Sequence, residues 1–208
     1  MIELLTADTP NGKKISIMLE EINYDYKVTK ININKDEQFK PEFKKLSPFS
    51  KIPVIIDHKT KTSLFESGAI LIYLGEKSGK LYDKDNRTVI NQWLMGQMAY
   101  VGPMLGQHHQ FHHYNPGKSE FGENRYFKIS ERIYRELDER LSQSTFLAGN
   151  KYTIADIATF PWIARHEWHD IGLKKFKNLN RWYDLISDRE AVKKGYDLLK
   201  KGDKIPRA

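Results

Sequence analysis

Over the first third of the chain, the apolar positions alternate between a period of two and a period near 3.6. Ile2–Leu5 is a short apolar run. In Lys13–Ile22, Ile15, Met18, Leu19 and Ile22 recur at the spacing of one helix face. Tyr26–Ile31 alternates as a strand does, and Glu37–Lys45 carries a shorter helical pattern. Val54–Asp57 is β-branched and follows Ile52-Pro53, and Thr62–Phe65 is placed to return beside it. Ser67–Lys77 turns Ile70, Leu71 and Leu74 to one side. The predicted order is βαβαββα, an α/β sheet whose last two strands form a hairpin.

The pattern then breaks. Ser78-Gly79-Lys80 and Asp83–Asn86 are polar and turn-forming. Beyond them only helical patterns remain: Val89–Leu105 ending near Gly102-Pro103, Glu120–Leu141, Ile154–Trp168, Leu179–Ser187 and Ala191–Lys200. The expected organisation is an α/β domain over 1–78, a linker over 79–87 and an all-helical domain over 88–208. One helix start is clear: Thr153 stands at an N-cap with Asp156 three residues on, and Tyr152 and Ile157 are spaced as a hydrophobic staple. Asp156 is read as a structural acid, not a catalytic one.

Composition narrows the chemistry. The 208 residues include no cysteine, which removes disulfide staples, a protein thiol nucleophile and thiolate metal sites. The net charge is +7, but the basic residues are spread along the chain among acids, so no nucleic-acid partner is expected. The chain opens on Ile2-Glu3-Leu4-Leu5 without the pattern of a signal peptide, and no apolar run approaches bilayer length. A cytoplasmic protein without a membrane partner is the expectation.

Three segments carry candidate chemistry. Ile52-Pro53 at the start of a strand removes a ladder donor, and a bend there would present the Ile52 backbone to an extended peptide ligand. The alternative is the ordinary start of a strand. Glu66-Ser67 joins a strand to an apolar-faced helix, where Ser67 and the helix amides suit a ligand carboxylate and Glu66 a ligand ammonium. The alternative is a capping serine beside an acid. Thr9-Pro10-Asn11-Gly12 links the first strand to the first helix, and Thr9 and Asn11 can donate hydrogen bonds to a thiolate. Its alternative is a turn with a helix cap.

A fourth cluster, His108, His109, His112 and His113, forms i,i+4 pairs able to hold a divalent metal. It lacks a cysteine or clear carboxylate ligand. No metal is expected, and the segment is read as a helix-end patch near a substrate mouth.

Together these segments resemble the glutathione transferase family, and most closely its nu-class glutathione-dependent disulfide-bond oxidoreductases. The similarity runs nearly end to end. It rests on Thr9-Pro10-Asn11-Gly12, Gln38-Phe39, Pro41-Glu42-Phe43, Ser47-Pro48, Lys51-Ile52-Pro53, Leu64 to Ile70, Gly102-Pro103-Met104-Leu105-Gly106-Gln107 and Tyr152 to Ala158. The resemblance implies a thioredoxin-like domain over 1–78 with Pro53 cis, followed by the helical domain. It implies that Ile52 pairs with the cysteinyl part of glutathione, that Lys51 and Pro53 belong to the same binding segment, and that Gln38 lies beside the peptide. Glu66 and Ser67 would hold the γ-glutamyl end. Thr9 and Asn11 would face the sulfur as the catalytic pair, with Asn11 also binding glutathione. Arg125 would reach a glutathione carboxylate, across a homodimer interface as one route.

This sequence departs from the family pattern at Asp8, where relatives commonly carry proline, at Phe49-Ser50, and in a shorter Lys59–Thr62 turn. Asp8 brings negative charge towards the proposed thiolate. The expected activity is disulfide reduction by bound glutathione, the thiol that the protein itself lacks. Conjugation of glutathione to electrophiles and a non-enzymatic glutathione-binding or regulatory role are the alternatives.

Overall fold

The computed structural model describes residues 1–208. They form two compact units, Met1–Tyr82 with Arg189–Lys204, and Asp83–Asp188 with Ile205–Ala208. The first unit contains β1 (Ile2–Thr6), α1 (Pro10–Ile22), β2 (Tyr26–Lys30), α2 (Pro41–Lys44), β3 (Val54–Asp57), β4 (Thr62–Phe65) and α3 (Ser67–Ser78). The second contains α4 (Arg87–Gly96), α5 (Gly102–His108), α6 (Glu120–Ser142), α7 (Ile154–Ile163), α8 (His166–His169) and α9 (Lys177–Ser187). A last helix, α10 (Glu190–Asp197), belongs to the first unit. The first unit thus takes a segment from far outside the 1–78 boundary expected from the sequence.

The sheet order is β2-β1-β3-β4. β1 and β2 are parallel because α1 carries the chain back across the sheet, while β3 and β4 are antiparallel neighbours joined by a tight turn. α1 packs against both α3 and α10. Its contact with α10 is close. Ser16 Oγ donates to the Gly195 carbonyl at 2.6 Å, and a Cβ on Gly195 would lie 2.6 Å from Ile17 Cα. Only glycine lets the two backbones approach this far.

Two expected helices are divided. Glu37–Lys45 becomes a 3-10 turn over Glu37–Phe39 followed by α2. Lys40 is extended (φ −61°, ψ 143°), because the ring of Pro41 disfavours the helical region for the residue before it. Ile154–Trp168 becomes α7 and α8. An i→i−3 bond from the Arg165 N–H to the Trp162 carbonyl (3.2 Å) tightens the end of α7, and Arg165 at φ −94°, ψ 21° turns the chain.

The opposite holds at Gly102-Pro103, where a helix end was expected. The chain stays helical from Arg87 to Tyr114, passing through π-type turns at Gln97–Val101 and His109–Tyr114. Pro103 falls in the first turn of α5, where its missing N–H is tolerated. The glycines of Gly102-Pro103-Met104-Leu105-Gly106 have a packing reason: a Cβ on either would come within 3.3 Å of the Trp162 ring on α7. Asp156 is a fully buried structural hub. It accepts from the N–H groups of Leu147 and Thr153, from Thr153 Oγ1 and from Trp182 Nε1, all at 2.9–3.1 Å.

Candidate functional site

The sheet register brings three chain segments to one end of the strands. Leu5 of β1 pairs with Val54 of β3, and Val54 pairs with Phe65 of β4. At that end the chain leaves β1 towards Thr9, enters β3 from Lys51-Ile52-Pro53, and leaves β4 into Glu66-Ser67.

Thr9 is the N-cap of α1. Its backbone is extended (φ −139°, ψ 160°), and its Oγ1 accepts from the Gly12 N–H at 3.1 Å. Pro10-Asn11-Gly12 therefore forms the first helical turn, not a loop before a helix at Lys13. This is the capping alternative, but it does not consume the chemistry: a hydroxyl that accepts a backbone N–H keeps its own proton to donate. Asn11 is half-buried in the same turn. Gly12 is dictated by space, since a Cβ there would lie 2.3 Å from the Ala7 carbonyl oxygen.

The Ile52–Pro53 bond is cis. The preceding segment is held by Ser47, which the sequence reading quoted without giving it a role. Its buried hydroxyl donates to the Lys51 carbonyl (2.8 Å) and accepts from the Lys51 N–H (3.1 Å). One serine thus satisfies both backbone groups of Lys51 and fixes the approach to Ile52. The Lys51 side chain is exposed, and Ile52 is half-buried, outside the ladder that begins at Val54.

At the third segment, Glu66 holds a left-handed backbone (φ 68°, ψ 112°) and is exposed, while Ser67 is buried as the first residue of α3. Ser67 is not the capping serine of the alternative reading; Glu66 occupies the cap position, and no side chain caps the helix. Positive φ at a non-glycine residue is costly and concentrates at functional sites. The Ser67 hydroxyl accepts from Lys14 Nζ at 3.4 Å. Lys14 comes from α1 and is fully buried; burial pushes its pKa down to about 7, against the opposing pull of the Glu66 charge.

Lys14 and its neighbour Lys13 are the residues that sequence reasoning missed. Lys13 Nζ donates to the Tyr196 carbonyl and to Asp203, both at 2.7 Å, and lies 3.0 Å from Asp8 and 3.7 Å from the centre of the Tyr196 ring. The charge of Asp8 therefore faces a buried cation.

Gln38 lies in the 3-10 turn before α2. Its Nε2 donates to the Ile33 carbonyl at 3.3 Å, and its Oε1 is buried without a hydrogen-bond partner. Arg125 is exposed on α6 in the second unit, with its guanidinium carbon 6.0 Å from the Tyr126 ring centre.

The histidine segment divides: His112 is half-buried and His113 exposed, while the other two lie inside. His108 and His109 are buried together with His169. Tyr134 Oη lies 2.6 Å from His169 Nδ1, His109 Nε2 lies 2.8 Å from His169 Nε2, and His108 Nε2 lies 2.9 Å from the His169 carbonyl. Burial pushes His109 down to about 3, helped by the neighbouring charge of Arg165, and lowers His108 and His169 as well. These rings form a neutral internal network. No group of three or more histidines and carboxylates in the structure is arranged to hold a metal ion.

Residues 3–76 match the family model of the glutathione S-transferase N-terminal domain, and residues 109–190 that of the C-terminal domain. The chain is 42% identical to the disulfide-bond oxidoreductase YfcG of Escherichia coli, over 96% of this chain and 95% of that protein. It is 36% identical to the disulfide-bond oxidoreductase YghU of the same organism, over 93% and 73% respectively. Among solved structures, a glutathione transferase from Burkholderia graminis with two glutathione molecules bound per subunit superposes with a TM-score of 0.91 at 38% identity, covering 97% of this chain and 89% of that one. A glutathione transferase from Pseudomonas putida with one glutathione disulfide bound per subunit gives 0.89 at 40% identity, covering 97% and 92%.

Proposed function

The chain belongs to the glutathione S-transferase family, and from that premise we propose that it is a glutathione-dependent disulfide-bond reductase. The observation that carries the reading is the absence of cysteine in a chain whose relatives are named for disulfide-bond chemistry. Relatives named disulfide-bond oxidoreductases span nearly the whole sequence, yet the protein has no thiol of its own. The attacking sulfur is then that of bound glutathione.

In this reading, Glu66 and Ser67 hold the γ-glutamyl group, the Ile52 backbone pairs with the cysteinyl residue beside Pro53, and Gln38 and Lys51 flank the peptide. Thr9 Oγ1 and the Asn11 amide donate to the sulfur. Donation to the charged form favours thiolate over thiol, and so lowers a thiol pKa that is ordinarily near ~8.5. The thiolate attacks the substrate disulfide, forms a mixed disulfide with glutathione and expels one substrate thiolate. A second glutathione thiolate attacks the glutathione sulfur of that mixed disulfide, releases the other substrate thiolate and leaves oxidised glutathione. Two glutathione molecules supply the two electrons. Their two thiol protons end on the two product thiols.

The same reading makes the protein a homodimer with C2 symmetry, Arg125 reaching a glutathione carboxylate near the interface. It also places the protein in the cytoplasm, where glutathione keeps thiols reduced. No helix is long and apolar enough to cross a membrane.

The test is a side-by-side rate measurement with glutathione and either a small disulfide or a chloronitroarene. Disulfide reduction should dominate. Brisk conjugation without disulfide reduction would replace this reading with the conjugating one.

A further inference from the structure

The buried ammonium of Lys14 has no place in the reading given so far. Lys14 is the fourth residue after the proposed sulfur-facing Asn11 region begins at Pro10, on the inner face of α1, and its Nζ reaches the hydroxyl of Ser67 at the start of α3. A charged group almost never becomes fully buried without compensation. The carboxylate whose charge acts on Lys14 is Glu66, which is exposed and precedes Ser67 in the chain. The site therefore presents a buried cation against a hydroxyl, with an exposed acid at the adjoining residue.

An amino-acid head group carries the complementary charges. Its ammonium suits Glu66, and its carboxylate suits the Ser67 hydroxyl, the first amides of α3 and a cation behind them. A hydroxyl that accepts from an ammonium is polarised to donate its own proton to an anion. We propose that Lys14 is the cation of the γ-glutamyl subsite, acting through Ser67 on the ligand carboxylate, so that glutathione binding draws a proton onto Lys14. This rests on the proposed glutathione site and adds a positioning residue to it.

The sign follows from linkage. An anion bound beside Lys14 raises its pKa, so the complex holds more protons than the free protein between the free and bound values. The low free value supports an effect centred near neutrality. The other charged groups around α1 and the sheet have their own partners. Lys13, next to Lys14 on α1, is held by Asp8, Asp203 and the Tyr196 carbonyl from the α10 side. From α3, Glu66 is the charge that acts on Lys14. The single histidine of the unit, His58, pairs with Glu3 at 2.9 Å at the opposite end of the sheet, beside the Met1 terminus.

S-methylglutathione is the probe, because it has no titrating thiol. Calorimetry in buffers of different ionisation enthalpy counts the protons taken up when it binds. The wild type should take up most of one proton at pH 8, and its affinity should fall about fivefold from pH 7 to pH 8. Lys14→Met should bind more weakly with no uptake, and His58→Gln should retain the wild-type uptake. Binding without proton uptake in the wild type, or uptake that persists in Lys14→Met, overturns the assignment and leaves the glutathione site standing. Failure of the wild type to bind S-methylglutathione at all overturns the glutathione reading itself.

Discussion

Lys13 Nζ lies 3.0 Å from Asp8 Oδ1, and the ammonium is fully buried while the carboxylate is partly exposed. Asp8, just before the N-cap of α1, is thus matched by a cation in the first turn of that helix. If sulfur is held at Thr9 and Asn11, this pair decides how much of the Asp8 charge reaches it. Lys13→Met should unmask Asp8, disfavour the thiolate and raise the apparent thiol pKa in the pH–rate profile by on the order of half a pH unit. Adding Asp8→Asn should return the profile towards that of the wild type. An unmoved profile in the single variant would show that Asp8 does not act on the sulfur.

Glu66 bears on binding alone. Glu66→Ala removes the partner proposed for the ligand ammonium. Because Glu66 is exposed, solvent screens the loss, and glutathione affinity should fall by roughly tenfold and not more. Calorimetric affinity equal to that of the wild type would remove Glu66 from the subsite.

Packing of α10 on α1 offers a test of stability without chemistry. A methyl group on Gly195 would lie 2.6 Å from Ile17 Cα, with backbone on both sides of the contact. Gly195→Ala should cost ~1–3 kcal/mol by overpacking, or lift α10 away. A denaturant melt that matches the wild type would show that the contact yields freely.

The legible parts of the fold were those with local periodicity. The four strands, α1, α3 and α6 follow from the spacing of their apolar residues, and the Thr153 cap from its own short motif. The first turn of α1 was hidden because Pro, Asn and Gly are turn residues as readily as they are N1–N3 residues. Lys13 and Lys14 read as solvated positions in a polar stretch, since nothing nearby in sequence marks their partners; Tyr196 and Asp203 lie 183 and 190 residues away from Lys13. The same distance concealed the unit to which α10 belongs. At the site, the side-chain types of Thr9, Asn11, Glu66 and Ser67 were readable. The roles of Ser47 and Lys14 depend on how loops fold back, and were not.

The buried histidines predict sensitivity to acid. One hydroxyl proton and one ring proton are enough to link Tyr134, His169 and His109 with both rings neutral. Their folded values lie below the unfolded value near 6.5, so the stabilisation is present above about pH 6.5 and is lost as pH falls, for His109 down to about 3. For His109 this is ~1.4 kcal/mol of destabilisation per pH unit in that window, and burial of His169 acts in the same direction. The melting temperature should drop steeply from pH 7 to pH 5, and His109→Gln should flatten the slope while lowering stability at pH 7. An equal slope in the variant would place the acid sensitivity elsewhere.

Asn11 separates chemistry from binding. Its amide is proposed to donate to sulfur, while the anchors of the ligand lie at Ile52, Glu66 and Ser67. A donor aimed at developing or resting negative charge in a site with little water commonly supplies a few kcal/mol of rate. Asn11→Ala should therefore slow disulfide reduction by ~10- to 100-fold and shift the pH–rate profile upwards, while glutathione affinity changes by less than about threefold. Thr9→Ala should act in the same direction. Its effect would mix with a loss of about 1 kcal/mol in helix stability, because Thr9 Oγ1 also caps α1 through the Gly12 N–H. Thr9→Ser keeps both the cap and the donor and should retain most activity. A double Thr9→Ala, Asn11→Ala variant that still reduces disulfides at the wild-type rate would show that the sulfur is activated by other groups.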